Sequence, residues 1–531
     1  MGCRDFMREK TRGLTPALLF TAISVTVGTT FPFGYNMVVM NAPQELLEQF
    51  FNESYNHTRG EYMDEPQLRL YWSVNSALYS VGAIFGCLSL SYLTDLLGRK
   101  GMMICINFVI FAVSAIMGLS KFAMSFEMII VARFLYGVVA GLCSVATIHF
   151  MEIAPRHLRG ALGGLYELGF ASSMLISTAL GLPHVLGNSD YWPILLSFTA
   201  FTSVLQLWTL PFTKESPRYL LVRKGKEDEA RKSLIFFRGT TDVDKEMEEL
   251  KIAANAQKNV ALLSWLDILR DPGLRAALFV SCSIQLSLQL GGVIAVLYYS
   301  TKLFTSINIT YPEAAYASMG IGAMKLLTNM FSMYVLERWG RRIPQLVGTG
   351  GQAVMTAILA IVLSFPQYAW ARVASVAVTI LFISFNTFGP ATICFMITPE
   401  LFRENARPSA VSMSFIVMYV TNTLVGVSFP TLKKVMGPYV FLIFSGCSVV
   451  LWVYIYRNMP ETKGRSIEDI VKGFGVKSDA GKPEAVEDES LVMQNLCEKT
   501  PDEKATLRNG VGPSDDADKE MAAICEKDPN V

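Results

Sequence analysis

DLLGRK, residues 95–100, closes one apolar run and returns as ERWGRR, residues 337–342, at the close of another. An acid, a glycine and paired basic residues repeated this far apart in one chain point to duplication of a large unit. Two more pairs recur in the same order and at nearly the same separation. EIAPRHLRG from Glu152 matches ELFRENARP from Glu400, and KESPR, with Glu215, matches PETKGR, with Glu461. Arg159 and Arg407 stand equally far along the second pair. Such parallel repeats predict two similar halves related by an axis along the membrane normal, if the intervening segments cross a bilayer.

Composition says that they do. Of 531 residues, 51% are hydrophobic and 17% charged, and the mean hydropathy is +0.36, which argues for lipid rather than water as solvent. Runs of roughly 18 to 25 apolar residues, enough to cross about 30 Å of hydrocarbon as helix, fall near 16–39, 71–94, 102–120, 126–149, 160–182, 192–212, 274–300, 313–337, 343–364, 371–397, 409–431 and 438–457. The expected fold is therefore an all-α membrane protein of twelve transmembrane helices in two pseudo-symmetric six-helix halves. Arg and Lys crowd the segments 98–101, 156–159, 218–224, 338–342 and 403–407, so those faces and both termini are expected in the cytoplasm.

The domain plan follows: a cytoplasmic N-terminus (1–15), a first bundle (16–212), a charged helical linker (213–273), a second bundle (274–457) and a polar tail (458–531), disordered after about 474. Basic residues Arg4, Arg8, Lys10 and Arg12 precede the first run without a cleavage pattern, so that run serves as an uncleaved signal anchor. Sequons at Asn52 and Asn56, in the first loop, and at Asn308 fall on the face opposite the basic loops, where glycosylation occurs. None of the nine cysteines lies in a segment placed outside the cell, which argues against a disulfide framework. Four scattered histidines give no metal site, a net charge of +1 gives no sign of a nucleic-acid partner, and no cofactor motif or set of nucleophile, base and oxyanion donors indicates an enzyme.

The repeated charges sit at helix ends, where water meets protein and ion pairs can re-form. Asp95, Arg99, Glu152, Arg159, Glu337, Arg341, Glu400 and Arg407 are expected to form a cytoplasmic gate. In it Glu152 and Glu400 accept forked hydrogen bonds from the arginines across the two halves.

These motifs, with ARFLYG at 132–137, FGYNMVVMNAPQ at 33–44 and AVLYYST at 295–301, resemble the sugar porter branch of the major facilitator superfamily. More narrowly they resemble the animal facilitative glucose and fructose transporters, the GLUT family, over roughly residues 14–474. The resemblance implies a rocker-switch uniporter of the plasma membrane with a central site between the halves. Asn36 matches the uncoupled members, whose proton-driven relatives carry Asp there, and Gln285-Leu286-Ser287 matches the triplet of members that handle glucose. Elsewhere the site departs from the family. Gln289 survives from a glutamine pair whose first member is Leu288, and Ile294 replaces an Asn. Glu167 takes the place of a sugar-binding Gln and Lys325 that of a sugar-binding Asn. Phe395 stands for a Trp in a segment lacking two prolines, and Met418 and Tyr419 replace a polar residue and a Trp.

A charge at mid-membrane costs at least about 2.5–3.5 kcal/mol on insertion scales, so it should face protein or water. Gly160, Gly163, Gly164 and Ala171 share the helical face of Glu167, and Ser318, Gly322, Thr328, Asn329 and Ser332 that of Lys325; both charges therefore point inward. Ser281, Gln285, Gln289 and Gly292 continue the lining. The simplest account is an ion pair between Glu167 and Lys325, one from each half. Lys325 starts roughly 8 Å deeper along its helix, so its stem must bend toward Glu167. With Gln285, Gln289 and Asn422 as neutral partners, Asn36 beside them, and Tyr298, Tyr299, Phe395 and Tyr419 as aromatic faces, the site suits a small-molecule substrate, a hexose first. A same-fold carrier of an organic anion such as urate, held by Lys325, and a non-transporting sugar sensor are the alternatives.

Overall fold

The computed structural model describes residues 14–465 apart from 156, 157, 259–262, 306, 308, 404 and 464. Asn308 and the expected disordered tail lie outside the described residues, as do the side chains of Arg159 and Glu337.

Local chemistry starts the helices where the sequence is least apolar. Thr15 caps the first span, Pro16–Val25, by accepting the Leu18 N–H at 3.1 Å, with proline at the first helical position. Asp271 caps Pro272–Leu288 through the N–H groups of Gly273 and Leu274. A capping box of Thr310 and Glu313 opens the eighth span, Tyr311–Trp339.

Among the described residues, eight helical segments are long and apolar enough to cross a membrane. Two are of double length: Glu65–Leu119, which turns at Gly98, and Arg407–Asn458, which turns at Gly437–Tyr439. Arg159–Leu180 and Tyr311–Trp339, which carry Glu167 and Lys325, complete twelve spans. Phe108, Phe201, Leu327, Val373 and Leu424 are exposed, as side chains facing acyl chains should be. Polar side chains turn inward instead and pair between helices. Gln206 joins Thr29 and Asn107, and Gln352 joins Asn386 and Ser448.

Among the described residues, three spans depart from regular helix in mid-length. Each has a wide turn in its middle: Thr26–Thr30 in the first, Gln289–Val293 in the seventh and Thr387–Ala391 in the tenth. Gly292 lies in the left-handed region in the second of these, and Pro390, without an N–H to donate, lies in the third. Wide turns of this kind gather at functional sites.

The first loop differs from expectation. Gln44–Arg59 is a helix that buries Leu47, Phe50, Phe51 and Ser54, at helical spacing, against Trp72, Phe126 and Trp192. Its sequons are therefore on a helix: Asn52 accepts the Met63 N–H at 2.7 Å, while Asn56 is half-buried beside an exposed Thr58.

The linker forms the helices Pro217–Val222, Glu227–Arg238 and Asp244–Lys258 around a small core of Ala230, Leu234, Val243 and Met247, and then Trp265–Arg270, whose Ile268 joins the main core. It is fastened to the first bundle by Arg238, which donates to the Ile153 carbonyl at 2.7 Å, and by Thr15, which donates to that of Phe237 at 2.8 Å. At its other end Leu263 bonds to Asn405 and Ser409 of the second bundle.

Candidate functional site

Helix packing between the bundles places the central charges. A methyl on Gly164 of the fifth span would collide with Met333 of the eighth, and one on Gly322 would sit 3.1 Å from the Leu175 Cα. These contacts set an antiparallel register in which Lys325 starts about five residues, roughly 8 Å of rise, from the level of Glu167. The Lys stem spans that offset. Its Nζ lies 3.4 Å from Glu167 Oε1 and 5.2 Å from the centre of the Phe170 ring. Both side chains are buried, with 4% and 7% of their surface exposed. The contact is an ion pair without hydrogen-bond geometry, and neither carboxylate oxygen has a hydrogen-bond partner among the described residues. On the small-residue face Gly164 packs closely, whereas Gly163 has open space around it.

Glu167 and Lys325 line a cavity of about 50 Å³ together with Gln289, Asn422, Phe395 and Tyr419. Other expected lining residues stand outside it: Ser281, Gly292 and Tyr299, and with them Gln285, Asn36 and Tyr298. Gln285, one turn along from Gln289, donates to the Cys394 carbonyl at 2.9 Å. Asn36 donates to the Pro32 carbonyl of its own helix at 3.0 Å. Tyr298 reaches the cavity only through Asn422, 3.3 Å away, which also takes a 2.6 Å hydrogen bond from Ser80 of the first bundle.

Sequence reasoning missed Tyr79, Phe170 and Asn386, which also line the cavity. It also missed Arg133, buried beneath it, which donates to the Asn36 carbonyl and stacks 4.6 Å over the Tyr79 ring. Arg133 was legible as a lone cation inside the fourth span. Asn386 was legible as an amide in an apolar run.

On the face of the basic loops, the three repeated motifs converge twice. Gly98 and Gly340 share a φ of 82° and abut a carboxylate: a Cβ on Gly98 would lie 2.5 Å from Glu215 Oε2, and one on Gly340 2.5 Å from Glu461 Cδ. The absent side chains let Glu215 accept the N–H groups of Arg99 and Lys100 and Glu461 those of Arg341 and Arg342. Arg99 then reaches Glu152 at 2.8 Å, and Arg341 forks onto Glu400 at 2.8 and 3.2 Å. Burial holds the Glu215 carboxyl above the usual Glu value despite the N–H groups of Ser216 and Lys100. At Glu461 burial acts the same way, but the N–H groups of Arg341, Lys463 and Arg342 outweigh it and hold the carboxyl below that value.

Two of the arginines expected to bridge the halves, Arg99 and Arg341, pair within their own half instead. Arg99–Glu152 closes within the first half and Arg341–Glu400 within the second, because each Gly-Arg turn is pinned to an acid of its own repeat. Asp95 pairs with Arg223 of the linker at 2.6 Å, and Arg407 bonds to the Phe402 carbonyl at 3.3 Å.

The profile of the sugar (and other) transporter family matches residues 21–474. The chain belongs to this family. Like its family it is a multi-pass membrane carrier of small-molecule sugar-type substrates and not an enzyme. The facilitated glucose transporter member 3 of solute carrier family 2 from Gallus gallus is 36% identical over 488 residues, 91% of this chain and 98% of that one. The Mus musculus member 3 is 34% identical, with the same coverage of each chain. The partially occluded, inward-open xylose transporter XylE from E. coli superposes with a TM-score of 0.70 at 19% identity, covering 85% of this chain and 100% of that one. That likeness speaks to the fold.

Proposed function

We propose that the chain is a facilitative carrier of a hexose such as glucose or fructose, working by alternating access in the plasma membrane with both termini in the cytoplasm. The observation that carries this reading is the cavity between the bundles, where Gln289, Asn386 and Asn422 offer amides to hydroxyls beside the aromatic rings of Phe395 and Tyr419. Residues 16–212 and 274–457 are the two rocking units, and 213–273 the connection between them. At about 50 Å³ the cavity holds a few waters. A hexose enters as the halves part. Asn36 supports passive transport, since an amide there carries no proton.

Lys325 favours one competing reading, in which an organic anion is the substrate. Uptake of radiolabelled glucose, fructose and urate into proteoliposomes, with and without a pH gradient, tests both. Hexose uptake that equilibrates and ignores the gradient is expected. Urate uptake without hexose uptake, or hexose accumulation driven by the gradient, would overturn the hexose uniport reading.

A further inference from the structure

None of the described residues that line the cavity comes from the ninth span, Arg342–Leu363. One face of that span is nevertheless polar: Gln345, Thr349, Gln352 and Thr356 recur at helical spacing, and all are fully buried. A buried amide needs partners at both ends, and Gln352 finds them on three other spans. Its Nε2 donates to the Ser287 carbonyl of the seventh span at 2.9 Å and to the Ser448 hydroxyl of the twelfth at 3.2 Å. Its Oε1 accepts from Asn386 Nδ2 of the tenth at 2.7 Å. A methyl on Gly291, in the wide turn of the seventh span, would occupy the place of the Gln352 amide, so the glycine admits it.

The order of donors along this chain is fixed at its first link. A backbone carbonyl only accepts, so Gln352 must turn its NH2 group to Ser287 and its oxygen to Asn386. Asn386 must then turn its own NH2 group to Gln352. What it has left for a ligand is Oδ1, on a fully buried side chain of the cavity wall and without a hydrogen-bond partner among the described residues. Asn422 is set the opposite way, since Ser80 and Tyr298 both reach its Oδ1 and its NH2 group is what remains to give.

We propose that Gln352 is a positioning residue for substrate selection: anchored on the Ser287 carbonyl, it locks the Asn386 amide with the oxygen offered to the ligand. The inference rests on the hexose reading above for the kind of ligand. It adds that the sugar position meeting Asn386 must carry an O–H. An acceptor without a proton is refused there, because it leaves two lone-pair-bearing atoms facing each other in a buried place.

The test replaces each glucose hydroxyl in turn by fluorine, which donates nothing, and measures how well each monodeoxyfluoro sugar inhibits uptake of radiolabelled glucose into proteoliposomes. In the parent, fluorine at the position that meets Asn386 should weaken inhibition about tenfold or more, as expected for a buried acceptor left unpaired. Q352M removes the lock and nearly keeps the volume, so the Asn386 amide can turn its NH2 group to the ligand. The penalty at that one position should then fall below about threefold while those elsewhere on the ring stay. N386L deletes the acceptor and should relieve the same position. A loss of packing alone would weaken every analogue alike. Penalties that move together, penalties that do not move, or relief at different positions in the two variants overturn the proposal. If hexoses give no flux and urate does, the hexose reading fails. The role of Gln352 is then decided with methylurates, each with one N–H replaced by N–CH3: both variants should relieve the same single position, and no shared relief overturns it.

Discussion

At Gly98 and Gly340 a single hydrogen in place of a methyl lets a carboxylate close on two backbone N–H groups. Substituting alanine at either position forces a side chain into left-handed backbone, which costs about 1–2 kcal/mol, and pushes Glu215 or Glu461 off its donors. G98A and G340A should each lower the melting midpoint of the purified protein. Midpoints equal to the parent in both would show that the grip contributes nothing. The residues of these clusters were legible because the motifs repeat. Their partners were not. A carboxylate bound to backbone N–H groups leaves no periodicity, and nothing in Glu152 or Glu400 specifies which arginine will reach it. The central pair was legible for a different reason: a charge in lipid must find protein, and two opposite charges on small-residue faces leave few arrangements. Gln285 and Asn36 sat on the right faces, but each found a backbone carbonyl before it found the cavity.

The spans themselves were open to reading because crossing a bilayer fixes their length and apolarity. The breaks within them were hidden, since a wide turn depends on what packs around it rather than on local propensity. The tenth span shows the balance. Pro390 lies inside the turn at Thr387–Ala391, with Asn386 and Ala391 on the cavity wall at its two ends. Proline inside a helix costs about 3 kcal/mol, so P390A should leave the melting midpoint unchanged or higher. By letting the turn tighten and shifting the wall, it should also cut glucose uptake several-fold. Normal uptake in a folded P390A protein would mean that the turn is incidental to transport.

Across the whole molecule the halves are internally latched on one face and joined to each other on the opposite face. There Asn41 of the first bundle donates to Ser300 at 2.7 Å and accepts the Thr301 N–H at 3.3 Å, both in the second. Ser300 and Thr301 are in turn tied to Ser318. N41A removes both cross-links, so a membrane-impermeant reagent added from the sequon-bearing side should label L297C several-fold faster than in the parent. The unaltered rate would place the closure elsewhere. Duplication told the reader that there are two bodies, and the wet seam between them followed from the charges. The contact at Asn41 did not follow, because it involves small neutral side chains that carry no mark in the sequence.

The linker is anchored at Ile153 and Thr15 on one side and at Asn405 and Ser409 on the other, so that in a rocking carrier it would act as a strap between two swinging doors. Tension applied to it by a binding protein would act as a throttle on turnover without any contact to the sugar.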